Sequence, residues 1–268
     1  MSCSEYYLKN CDILKKQLKV FKEFLIHLHG FSELFGHSIF YLFTKPFYLR
    51  DILVQMHSIG VRSLVIVFLT AGFTGLVMAL QSGYEMAIYG AKMYVGTLVS
   101  VSLVRELGPV LTSLVVAGRV GAGITAEIGS MNVTEQIDAM RALGTNPVKK
   151  LASTRFIAIT IMLPILTIIG DATGVFGGLV ISVSSLGISA PFYWMTVFRA
   201  LTLNDFLAGL IKPFIFAMTI STVSCYMGFT AKGGTKGVGE ATTRSVVVSS
   251  ILIFFLDFLI TKFILAVS

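Results

Sequence analysis

The chain has 268 residues, 55% of them hydrophobic and only 13% charged, with 21 Lys+Arg against 14 Asp+Glu; a soluble domain carries roughly 25% charged residues. Its mean hydropathy is +0.83, and uncharged runs at 63–84, 172–198 and 213–231 match the about 20 apolar residues that cross a ~30 Å hydrocarbon core. A soluble enzyme is excluded. The three cysteines lack CxxC spacing and give neither a redox motif nor a zinc site, and the basic surplus marks a membrane side rather than nucleic acid.

The first element in chain order is an amphipathic helix. Tyr7, Cys11, Leu14, Leu18, Phe21, Leu25 and Leu28 recur every three or four positions, with Lys9, Lys15, Lys16, Lys19 and Lys22 mainly on the other faces. Such a helix lies among lipid headgroups or packs on the protein's own cytoplasmic surface. It is no signal peptide, because no uninterrupted apolar core precedes a small-residue cleavage site. Residues 1–60 thus form an interfacial segment, and residues 61–268 an all-α membrane domain of five spans near 61–82, 94–118, 154–184, 206–229 and 245–265.

The third span is too long to stand perpendicular and must tilt or reach into water. Sixteen of the 21 basic residues lie before or at the entry of the first span, or in the connections 119–155 and 230–244. Lys92, Arg199, Lys212 and Lys262 fall on or near the other side. This asymmetry places the N-terminus in the cytoplasm and, after five crossings, the C-terminus outside. No connection is long enough for a soluble domain of usual size, so any soluble activity belongs to another chain.

Within the second span Arg105 and Glu106 interrupt two uncharged stretches, 93–104 and 107–118. Facing lipid would cost at least ~2.5–3.5 kcal/mol for each, so they face a bundle interior or a wet cavity. Pro109 follows and bends or breaks the helix. The pair marks a substrate site or gate, or else an ion pair with another helix. Asp171 and Asp257 are the other intramembrane acids. Asp171 adjoins Gly170, Gly174 and Gly178, whose spacing of four makes a smooth face for close helix contact; a hydrogen-bonded contact competes with a proton relay.

The connection after the second span reads as a short helix over 131–143. Thr134 is its N-cap, Glu135 and Asp138 are acids of the first turn, and Gly144 ends it. Ile137, Met140 and Leu143 form its apolar side, suited to a groove on a partner or to the chain's own bundle. The 228–239 stretch lacks a P-loop lysine and a preceding strand, so it reads as a flexible loop that does not bind ATP. All four histidines precede the first span, which leaves no intramembrane Ser–His pair and no metal site.

Three colinear motifs are specific: Leu103-Val104-Arg105-Glu106-Leu107-Gly108-Pro109-Val110, then Ala117-Gly118-Arg119-Val120-Gly121-Ala122-Gly123-Ile124-Thr125-Ala126-Glu127-Ile128-Gly129, then Thr134-Glu135-Gln136-Ile137-Asp138-Ala139-Met140. With Gly233-Gly234, Gly237-Val238-Gly239 and the 241–247 segment, the chain from about residue 50 onward resembles the MlaE permease family. The resemblance implies the membrane subunit of an ABC system moving phospholipid between inner and outer bacterial membranes. It implies a homodimer, an ATPase partner that holds ATP and Mg, a ring of MCE-domain proteins outside, and often a STAS-domain protein. This chain itself would carry no cofactor. By the same resemblance Met78, Tyr89, Arg105, Glu106 and Pro109 belong to a lipid cavity. Thr134, Glu135, Gln136, Asp138, Met140 and Arg141 would belong to a cytoplasmic segment coupled to the ATPase. Glu85 departs from the family pattern, which has an apolar residue there. A proton-coupled secondary transporter using Glu106, Asp171 or Asp257 is the rival reading; it would usually show an internal repeat, and none is seen.

Overall fold

The computed structural model describes residues 29–41, 44 and 48–267. The amphipathic helix expected at 7–28 lies outside the described residues. Among those described, all regular structure is helical: α1 (29–40), α2 (Leu49–Ile88), α3 (Val95–Ser102), α4 (Gly108–Val116), α5 (Ala122–Val133), α6 (Gln136–Ala142), α7 (Ser153–Ser184), α8 (Ala190–Ala200), α9 (Leu203–Phe229) and α10 (Gly234–Val267). Among the described residues five stretches are long and apolar enough to cross a membrane, Leu49–Ile88, Lys92–Val133, Val148–Ser184, Leu203–Phe229 and Gly234–Ala266. Each contains one of the five expected spans.

The second span stays helical through Pro109. A π-helical turn over Leu103–Leu107 joins α3 to α4, with the Gly108 N–H donating to the Leu103 carbonyl. A wider turn at this point accommodates the hydrogen bond that proline cannot make, so of the expected bend or break the break does not occur. A second π-turn, Ala117–Gly121, joins α4 to α5, and a third, Val148–Ala152, leads into α7.

Glycine decides where α2 and α7 cross. A Cβ on Gly75 would sit 1.9 Å from the Gly174 carbonyl oxygen, and one on Gly177 would sit 2.6 Å from that of Gly72. The backbones therefore touch, as small-residue faces permit in a medium with no hydrophobic drive between helices. The other side of the Gly170, Gly174 and Gly178 stripe packs on the second span, against Thr112, Leu103 and Val99 respectively.

The core has two parts. Near α6, Ile124, Ile128, Ile137, Ile159, Leu163, Phe216 and Ile220 form one buried cluster. At the other end Ala79, Val95, Val99, Leu103, Val175, Tyr193 and Val197 form a second. Helix α1 covers the α6 end: Leu34 packs on the first cluster, and Phe35 meets the Phe156 ring edge-on at 6.0 Å. At the opposite end α8 occupies part of what read as an external loop, anchored by Tyr193, whose phenol donates to the Val175 carbonyl at 3.0 Å.

Two further expectations change. The 228–239 stretch is no loop, since α9 runs to Phe229 and α10 starts at Gly234, with positive φ at Gly233 and Gly234 making the turn. The expected 131–143 helix is two elements. Residues 131–133 end α5, and the chain turns at Thr134 and Glu135 before α6. Glu135, at φ +60°, is the N-cap. Thr134 instead donates its hydroxyl to the Ser130 carbonyl at 2.8 Å, closing α5. Gly144 ends α6 as expected. Its N–H reaches the Arg141 carbonyl and that of Thr145 reaches Met140, each at 3.0 Å, around a left-handed glycine.

Candidate functional site

The charges inside the second span meet charges from two other spans. The Lys212 ammonium, from α9, contacts Glu106 Oε2 directly and lies 2.9 Å from Asp257 Oδ1 on α10. Thr261, one turn further along α10, accepts a hydrogen bond from Lys212 at 2.8 Å and donates to Glu106 Oε2 at 3.2 Å. Lys212 is only 1% exposed, so its charge is tolerable only because two carboxylates share it. Its expected place at or near the outer side is thereby corrected. It stands nine positions inside α9, roughly 14 Å along the helix.

Arg105 pairs separately. Its Nε lies 3.2 Å from Asp205 Oδ1. The other oxygen of Asp205 accepts from the Thr202 amide at 3.0 Å and the Thr202 hydroxyl at 2.8 Å, completing a capping box at the start of α9. Asp205 is thus held from two directions. Among the described residues the two terminal nitrogens of Arg105 make no hydrogen bond, and its side chain is about one-third exposed.

Four of these groups line a cavity of about 210 Å³ between α3, α9 and α10. Arg105, Glu106, Lys212 and Thr261 supply its polar wall, and Val101, Ala208, Ile264 and Leu265 its apolar wall. The sequence marked Arg105, Glu106 and Asp257. It missed Lys212, Asp205 and Thr261; the signal available for Lys212 was a lone cation within a helical apolar pattern that also holds Pro213.

The other expected cavity residues lie elsewhere. Met78 and Tyr89 line a separate, largely apolar cleft of about 510 Å³ with Gln81, Glu85, Met86 and Leu98. Pro109 is buried in the helix and lines neither cavity. Within one chain the residues expected to share a cavity thus divide between two. Asp171 joins neither. Its Oδ1 would stand 1.6 Å from a Cβ on Gly108, so the acid lies against the backbone of that turn, and among the described residues this oxygen has no hydrogen-bond partner. The expected helix contact is present without a hydrogen bond at that atom. Asp257 is bound to Lys212, apart from Asp171.

Helix α6 turns Ile137, 1% exposed, into the bundle core, and Met140 packs partly against it. Leu143 is exposed, contrary to its expected place on the apolar side. Asp138 and Arg141 pair on the surface at 2.8 Å. The apolar side is thus used within the chain, and the polar side faces outward.

The family model described as Permease MlaE matches residues 52–263. A protein of Rickettsia typhi named a probable ABC transporter permease protein is 45% identical over 234 residues, covering 87% of this chain and 90% of the relative. The intermembrane phospholipid transport system permease protein MlaE of Haemophilus influenzae is 36% identical over 208 residues, 77% of this chain and 80% of that protein. The chloroplastic protein TRIGALACTOSYLDIACYLGLYCEROL 1 of Arabidopsis thaliana is 36% identical over 228 residues, 85% of this chain and 65% of that protein. With five spans and an intramembrane charged cavity, this chain is a multi-pass membrane transport permease and belongs to the MlaE permease family.

Proposed function

We propose that the chain is the membrane subunit of an ATP-driven transporter that moves phospholipid between the inner and outer membranes of a bacterium. The observation that carries this reading is the partly open cavity at membrane depth, where Arg105 keeps its terminal nitrogens free beside an apolar wall. A planar guanidinium fork suits a phosphate, and the apolar wall suits the first part of an acyl chain. The name of the Haemophilus relative, a phospholipid transport system permease, supports phospholipid as the substrate.

ATP and Mg belong to a partner ATPase in this reading. Glu135, Gln136, Asp138 and Arg141 lie on or beside the outward side of α6, available to that partner, while Ile137 and Met140 fasten the helix to the spans. Motion of the ATPase would then reach α5 and α7 as a rigid-body shift. Only 11% of the most apolar stretch of α10 is buried within the chain, leaving a face for a second copy and for lipid. The distribution of Lys and Arg supports a cytoplasmic N-terminus, an outer C-terminus and residence in the inner membrane. An MCE-domain ring and a STAS-domain protein complete the assembly.

The test is Arg105→Ala in the assembled complex, read by ATP-driven transfer of a fluorescent phospholipid between membranes. Loss of a charge-assisted contact of about 1.5–3 kcal/mol predicts transfer slower by roughly tenfold to a hundredfold, with assembly intact. The capping box continues to hold Asp205 in that variant. Disassembly would make Arg105 structural, and unchanged transfer would remove it from the lipid path. The proton-driven alternative finds less support, because Glu106 and Asp257 are both engaged by Lys212 and Asp171 stands apart from them.

A further inference from the structure

A third cavity, of about 260 Å³, lies between α2 and α5, lined by Gln55, Ser58, Arg62, Arg119, Gly123 and Glu127 among others. Its depth follows from helix geometry. Arg62 and Glu85 bracket 22 uncharged residues of one continuous helix, which span about 33 Å, close to the hydrocarbon thickness of a bilayer. Arg62 therefore stands at one membrane boundary, on the α6 side. Arg119 is tied to the same level, because its Nη1 donates to Ser63 Oγ at 2.7 Å and Ser63 is fully buried. From Arg105 to Arg119 is 14 positions, about 21 Å along the helix, so this cavity and the central one lie at different depths.

Its charge is unbalanced in one direction. The lining carboxylate, Glu127, is already paired: its Oε1 lies 2.8 Å from Nη2 of Arg155, a residue 3% exposed that comes from α7 behind it. Arg62 and Arg119 are both exposed and, among the described residues, neither has a carboxylate partner. A Cβ on Gly123, in the lining, or on Gly118 beside Arg119 would meet nothing within 4 Å, so the space before the two guanidinium groups is open. Val65 and Leu69, one and two turns deeper on α2, are exposed apolar side chains that acyl chains would cover.

We propose that this cavity binds the phosphate of an anionic phospholipid from the leaflet on the α6 side, held by Arg62 and Arg119. Two forks at headgroup depth above an apolar helix face form a site for one lipid, distinct from the Arg105 cavity.

The test titrates the purified full chain in detergent with phosphatidylglycerol, and in parallel with phosphatidylcholine, counting bound lipids by native mass spectrometry. R62Q and R119Q should each weaken one phosphatidylglycerol event about fivefold, and together roughly 25-fold. Phosphatidylcholine has the same phosphate but a cationic choline and no net charge, so its binding should be weaker and fall less in both variants, and Arg105→Ala should leave the phosphatidylglycerol event in place. If R119Q fails to fold, R62Q, an exposed position, still reads the site. Inorganic phosphate should not displace the lipid; displacement at equal concentration would assign the site to a free anion and overturn the lipid proposal. Unchanged phosphatidylglycerol binding in the double variant would also overturn it, as would a changed oligomeric state without a change in lipid binding, which would make the face a contact between copies. The outcome is independent of Arg105, so failure here leaves the transport reading standing.

Discussion

Lys212 is the residue on which the central site turns. Two cations, Arg105 and Lys212, face three carboxylates, Glu106, Asp205 and Asp257. Removing Lys212 therefore leaves Glu106 and Asp257 without a cation in a medium that solvates charge poorly, whereas Asp205 keeps its Thr202 partners when Arg105 is removed. Lys212→Met should cost about 3–5 kcal/mol, because Glu106 and Asp257 would face each other without a counter-ion. Thermal unfolding in detergent reads this loss, and the triple change Lys212→Met, Glu106→Gln, Asp257→Asn should restore most of it. A single variant as stable as the parent would place the carboxylates' support elsewhere. The presence of a charged site was legible in Arg105 and Glu106, because hydrocarbon makes such residues expensive anywhere but in a site. Their partners were not, since 106, 212 and 257 come together only through the packing of three spans.

Among the elements, α2 and α7 depend on touching backbones. Gly75→Val places a side chain into the Gly174 carbonyl and should cost more than the roughly 1–3 kcal/mol usual for overpacking, since backbone cannot yield as a side chain can. Gly239 sits in α10 with nothing within 4 Å of a built Cβ, so Gly239→Ala should stabilise by up to about 1 kcal/mol through helix propensity. Melting temperatures of the two variants should move in opposite directions; a tolerated Gly75→Val would show that the crossing can separate. Helix α6 offers a cleaner division between shape and contact. Glu135 holds the left-handed conformation that glycine adopts freely. Glu135→Gly should therefore keep α6 in place and raise stability by roughly 1 kcal/mol, while weakening association with the ATPase in a pull-down. Undiminished association would take Glu135 out of the proposed coupling contact. The sequence pattern located this region and its terminal Gly144, but the break at Thr134–Glu135 was hidden, because Glu carries no sign of positive φ.

At the scale of the whole molecule, gentle purification of the chain with its native partners should yield an ATPase and bound phospholipid, identified by mass spectrometry. Proton-driven uptake by this chain alone would instead select a secondary transporter. Composition and hydropathy by themselves determined that the chain is an all-α membrane protein with five spans, because each span must satisfy its own backbone and present an apolar surface to lipid. Its motifs also determined the family resemblance, since they are strung along one chain and need no geometry to be read. Which charges meet, that Met78 and Tyr89 open a different cleft from Arg105, and that Pro109 leaves the helix continuous were decided only by tertiary structure. Ion pairs and cavities form between elements distant in sequence, and a span's hydropathy is nearly the same whichever neighbour its polar residues face.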